Sequence, residues 1–178
     1  MFTVIIGVNF IPTNVYCNQK IALYGDSLMS GYGLDEKFHL STILEKNLKM
    51  RGFDVTLINA SVSGDTTSGG LNRLSWLLEE KDVDILVLCL GANDMLRGIR
   101  PNLIKQNLNK ILELLLEKKI TILLAGMKSQ EAFGQQYKKD FDDIYPDLAK
   151  EFNITYLPFL LEGVALNPKL NLQDGKHP

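Results

Sequence analysis

Across residues 20–157 the chain alternates short apolar runs with longer stretches whose apolar residues recur at helical spacing. That alternation limits the fold more than any other feature. The runs at 21–24, 55–58, 85–90, 120–125 and 154–157 are too short for helices and too continuous for strands with one wet face. Between them, Leu40–Met50 carries Ile43, Leu44 and Leu48 and stops at Arg51-Gly52, a basic last turn followed by glycine. Leu71, Leu74, Trp76, Leu77 and Leu78 mark a second helix, with Trp76 expected to pack it onto the sheet. Pro101 opens a third, striped by Ile104, Leu108, Ile111, Leu112 and Leu115. Residues 135–152 predict a fourth, kinked or divided at Pro146. Five buried strands joined by helices predict an α/β domain, a parallel sheet covered on both faces. A chain of 178 residues is comfortable for one such core.

Charge and composition exclude some partners. A net charge of -2 does not suit nucleic acid, whose phosphates need a basic surface. Residues 1–19 carry no charged side chain, and much of that stretch is apolar. It is too short to span a bilayer, so no stable membrane insertion is expected. It reads as an export signal lacking the usual positive start, or as a disordered tail, in either case outside a domain at 20–178. Cys17 lies near the terminus, and Cys89 in an apolar run is expected to be a small buried hydrophobe.

The unusual residues cluster where strands end. Gly25-Asp26-Ser27 follows the first strand, Asn59-Ala60-Ser61-Val62-Ser63-Gly64-Asp65 the second, and Gly91-Ala92-Asn93-Asp94 the third. In open parallel sheets the site lies at those carboxyl ends. Ser27 offers a hydroxyl at a strand-to-helix turn, but a hydroxyl needs a base to become a nucleophile. His177 is the candidate base, and Asp174, three residues earlier, the candidate to orient it. The Ser27 and Gly64 backbone N–H groups and the Asn93 amide are candidate oxyanion donors. Each piece has a plainer reading: a turn for Gly25-Asp26-Ser27 and for Gly64, a helix cap for Asn93-Asp94, an inert terminal histidine. Complementary parts at separate turns, in workable order, favour catalysis. Asp26, Asp65 and Asp94 read as loop hydrogen-bonders, and His39 as a surface or capping residue. No metal-ligand spacing occurs, so neither metal nor cofactor is expected.

Gly25-Asp26-Ser27-Leu28, Gly64 within the second loop, Gly91-x-Asn93-Asp94 and Asp174-x-x-His177-Pro178 resemble the four blocks of the SGNH (GDSL-type) hydrolases. The resemblance spans residues 20–178 and is nearest to the bacterial multifunctional acyl-CoA thioesterase/lysophospholipase/arylesterase subfamily. It implies a three-layer α/β/α sandwich with a five-stranded parallel, flavodoxin-like sheet. It also implies a serine esterase or thioesterase acting on small acyl esters or thioesters, with Ser27 as nucleophile, His177 as base and Asp174 orienting it. The oxyanion hole would be Ser27, Gly64 and Asn93. The stretch after the third block would cover the acyl chain, making Met95, Leu96, Arg97, Gly98 and Ile99 candidate substrate contacts. Such relatives imply a monomer in the periplasm or secreted, or cytoplasmic if the N-terminal segment is no signal.

Family members continue past the histidine block into a final helix that this chain lacks. The expectation is therefore a truncated domain with apolar surface uncovered and His177 poorly braced. Two alternatives remain: a carbohydrate O-acetyl esterase using the same residues, and a flavodoxin-like binding module. The second is disfavoured because the first loop has no glycine-rich phosphate cradle and sets Asp26 where an anion would sit.

Overall fold

A computed structural model describes residues 18–80 and 82–178. The expectations for the N-terminal segment and Cys17 lie outside the described residues. The five apolar runs form strands β1 (Gln19–Gly25), β2 (Val55–Asn59), β3 (Ile85–Cys89), β4 (Thr121–Ala125) and β5 (Thr155–Leu157). They make one parallel sheet in the order β2-β1-β3-β4-β5. The chain moves one way from β1 to β2 and the other way thereafter. Right-handed crossovers then put the helices on opposite faces. On one face lies α2 (Leu40–Met50); on the other lie α3 (Thr67–Glu80), α5 (Pro101–Glu117), α6 (Gln135–Asp142) and α7 (Ile144–Phe152).

Burial follows the register. The row Ala22, Leu86 and Ile122 is 0–3% exposed beneath the α5 side. On the other face, Leu23 is buried, Val87 and Leu123 are half-buried and Thr155 is exposed, so cover thins with distance from α2. On α2 itself Leu40, Ile43 and Met50 are exposed.

One helical expectation is corrected and another is met. Trp76 does not pack α3 onto the sheet: it is 57% exposed, because the buried stripe runs through Leu74 and Leu77 and leaves Trp76 on the outer side. The helix expected over residues 135–152 is divided, as its internal Pro146 requires. The chain breaks at Asp143, between α6 and α7, and Pro146 falls in the first turn of α7. There its missing N–H is not needed, whereas a continuous helix would drive its ring into the Asp142 carbonyl. Cys89 is buried as expected, and desolvation pushes its thiol far up.

Gly91 sets the backbone after β3. Its φ of +119° lies where side chains are strained, and a Cβ there would meet the Tyr145 hydroxyl at 2.3 Å. That hydroxyl donates to the Leu90 carbonyl at 2.9 Å. Gly91→Ala is therefore expected to cost roughly 3 kcal/mol or more in urea-unfolding measurements, and to lower activity by displacing Asn93.

Candidate active site

The order β2-β1-β3 makes the chain leave β1 toward one side and β3 toward the other, opening a crevice between them. The short helix α1 (Ser27–Ser30) starts on one side of that crevice and α4 (Ala92–Leu96) on the other. The C-terminal segment closes it. Ser27 Oγ lies 2.8 Å from His177 Nε2, across 150 positions of sequence. His177 Nδ1 lies 2.6 Å from Asp174 Oδ2.

These contacts settle the proton inventory. A carboxylate can only accept, so Nδ1 carries the hydrogen and donates to Asp174; Nε2 is then free to accept from the Ser27 hydroxyl. The bond from His177 holds the Asp174 carboxyl well below the usual range, helped by the Lys176 and His177 backbone N–H groups donating to Oδ1 at 2.8 and 3.1 Å. Asp174 thus keeps its charge throughout the mildly acidic range. The histidine is held by more than Asp174. The Leu172 N–H donates to the His177 carbonyl at 2.7 Å, and the Tyr32 ring lies 4.7 Å from the imidazole.

The three candidate oxyanion donors differ. No described residue accepts from the Ser27 or Gly64 backbone N–H. Gly64 needs its glycine for a φ of +79° rather than for space, since nothing lies within 4 Å of a Cβ there. The Asn93 amide is engaged instead: Nδ2 donates to the Asp65 carbonyl at 2.9 Å and to Asp26 Oδ2 at 3.2 Å. Asp26 is 1% exposed, and burial pushes its carboxyl up to about 6 against the lowering effect of its bond from the Leu28 N–H. Asp94 is also buried, accepting from the Thr67 N–H and hydroxyl at 2.8 and 2.6 Å. His39 sits at the start of α2 without capping it by side chain; its Nε2 is 3.1 Å from the Leu34 carbonyl.

The five candidate substrate contacts separate. Met95 is buried, packed from α4 into the core. It points inward because the buried stripe of α4 runs through Asp94 and Met95. Leu96, Arg97 and Gly98 are exposed, and Ile99 is half-buried. Arg97 donates to the Gly64 carbonyl at 2.9 Å, tying this stretch to the second loop.

One residue escaped the sequence reading. Arg73 donates to Asp65 at 2.6 Å, to the Ala60 carbonyl at 2.6 Å and to the Gly25 carbonyl at 3.2 Å, with its guanidinium 3.9 Å over the Tyr24 ring. It knots the ends of β1 and β2. A single arginine inside an apolar helical stripe carries no sequence signal of that role.

Comparison with known proteins agrees with this geometry. Residues 23–178 match the "GDSL-like Lipase/Acylhydrolase family". An arylesterase of Vibrio mimicus is 38% identical over 161 residues, which is 90% of this chain and 80% of that one. The thioesterase 1/protease 1/lysophospholipase L1 of Escherichia coli is 35% identical over 158 residues, 89% of this chain and 74% of that one. The crystal structure of AlinE4, an SGNH-hydrolase family esterase, superposes with a TM-score of 0.86 at 42% identity, covering 90% of this chain and 86% of that one. With hydroxyl, imidazole and carboxylate in line at the crevice and this match across most of its length, the chain belongs to the GDSL-like lipase/acylhydrolase family of ester-bond hydrolases.

Proposed function

We propose that the protein hydrolyses acyl esters and thioesters through an acyl-enzyme on Ser27. The observation that carries the reading is the continuous relay from Ser27 Oγ through His177 to Asp174, at 2.8 and 2.6 Å. As Oγ attacks the carbonyl carbon, His177 Nε2 takes its proton, and Asp174 steadies the imidazolium. The negative charge moving onto the carbonyl oxygen is met by the Ser27 and Gly64 N–H groups and the Asn93 amide. His177 then protonates the departing alcohol or thiol. Water, deprotonated by the same nitrogen, attacks the acyl carbon, and Ser27 regains its proton as the acid leaves.

Apolar surface at the rim supports an acyl substrate. Tyr32, Val62 and Leu96 are 52, 49 and 46% exposed. Tyr32 lies against His177, Val62 is hydrogen-bonded to Gly25, and Leu96 precedes the Arg97 that holds Gly64. An exported, periplasmic enzyme is part of the proposal, supported by the uncharged N-terminal segment and by bacterial relatives. Among the described residues no helix is long and apolar enough to cross a membrane.

An aryl alkylphosphonate tests the reading. Oγ should displace the phenolate and leave one phosphonyl group per chain, on the peptide containing Ser27, with activity lost in proportion. Labelling elsewhere, or full activity after labelling, would overturn it. A series of esters from acetyl to palmitoyl tests the substrate: rates should extend to medium and long chains, and turnover confined to acetyl esters would contradict an acyl-chain site.

A further inference from the structure

We propose that Asp26 is a positioning residue of the oxyanion site, its carboxylate holding the Asn93 amide and the Ser27 turn in one fixed relation. The inference rests on the hydrolase reading above. One oxygen, Oδ1, accepts from the Leu28 N–H at 3.0 Å and so caps α1. The other, Oδ2, accepts from Asn93 at 3.2 Å, while the second N–H of that amide goes to the Asp65 carbonyl at 2.9 Å. The amide is thereby pinned between the loops after β1 and β2, and its exchangeable hydrogen, the one on the longer bond, faces Asp26.

Capping alone does not explain a carboxylate here. Serine, threonine or asparagine would cap α1 with no buried charge. Only aspartate among good caps offers two acceptor oxygens, one for each donor. Protonation weakens that property, because the oxygen that takes the acid hydrogen becomes a poorer acceptor for the Leu28 N–H or for Asn93. The ionised form is the positioning form.

The surroundings put this proton within reach of assay. His177 faces Asp26 from the C-terminal segment, Asp65 and its partner Arg73 from the second loop and α3, Cys89 from β3 and Tyr145 from α7. Burial raises Asp26 to about 6, and raises Cys89 and Tyr145 far out of the acid range. Protonation of Asp26 should therefore contribute to the acid limb of kcat/KM.

Asp26→Asn keeps an oxygen for one donor but sets an NH₂ group against the other. It should lower kcat about 10- to 100-fold, bounded by the loss of an oxyanion donor, with KM within about threefold. Its acid limb should lose that contribution and become shallower. Asn93→Ala should also lose the Asp26 proton from its limb, and Asp26→Asn with Asn93→Ala should be no more than about threefold slower than Asn93→Ala alone. The profile of Asn93→Ala carries the test by itself if Asp26→Asn melts below the assay temperature. An acid limb unchanged in both single variants, or losses that multiply in the pair, would overturn the proposal and leave Asp26 a plain cap. Ser27→Ala keeps the two readings distinguishable. Activity surviving that change removes the hydrolase mechanism itself, whereas its loss alongside multiplying Asp26 and Asn93 effects removes only the positioning role.

Discussion

Ser27→Ala is expected to lower kcat by about 10⁵–10⁶-fold on an aryl ester, the scale at which removing the nucleophile of a serine hydrolase stops covalent turnover. Residual hydrolysis above the uncatalysed rate would come from the Ser27 and Gly64 N–H groups, which the substitution leaves in place. The fold should tolerate it. The Ser27 side chain is only half-buried and makes one hydrogen bond, to His177, so the melting temperature should stay within a few degrees. Steady-state hydrolysis with mass spectrometry of the phosphonate reaction reads both effects: turnover should vanish and no adduct should form. A variant within tenfold of the wild type would dispose of the acyl-enzyme.

His177→Ala should be nearly as severe, on the order of 10⁵-fold, because the hydroxyl then has no base within reach. Ser27 and His177 act as one unit, so the double variant should be no slower than the worse single one. The imidazole also organises its surroundings. It donates from Nδ1 to the Asp174 carboxylate at 2.6 Å and packs against Tyr32 at 4.7 Å, so its removal leaves a hole beside Ser27. Added imidazole should enter that hole and restore part of the activity, with the rate saturating as imidazole rises. The absence of rescue, with a folded protein by circular dichroism, would argue that His177 acts by something other than proton transfer. Asp174 needs no pH adjustment in such experiments, since its bond from His177 keeps it ionised through the acid limb.

Much of this architecture was legible locally. The helix expected at Leu40–Met50 has those bounds, because its apolar spacing and the Arg51-Gly52 stop are properties of adjacent residues. The strands differ from their apolar runs by only one or two residues at each end. Trp76 misled because residue type was weighed ahead of angular position. An aromatic residue one step off the Leu74–Leu77 stripe faces water. The burial of Met95 was likewise not legible, since position in the chain does not say which side of α4 a residue occupies. Arg73 and the dual bonding of Asp26 were illegible because both join loops that only the sheet brings together.

The sequence by itself determined which segments become strands and helices and which residue types stand at the strand ends, since both depend on short-range periodicity and turn chemistry. Tertiary structure decided the rest. The placement of β1 between β2 and β3 is a matter of long-range pairing, and it opens the crevice. The meeting of Ser27 with His177 spans nearly the whole domain. The contrasting charge states of two carboxyls, Asp174 held down by an imidazole and Asp26 raised by burial, come from desolvation and partners that no stretch of sequence contains.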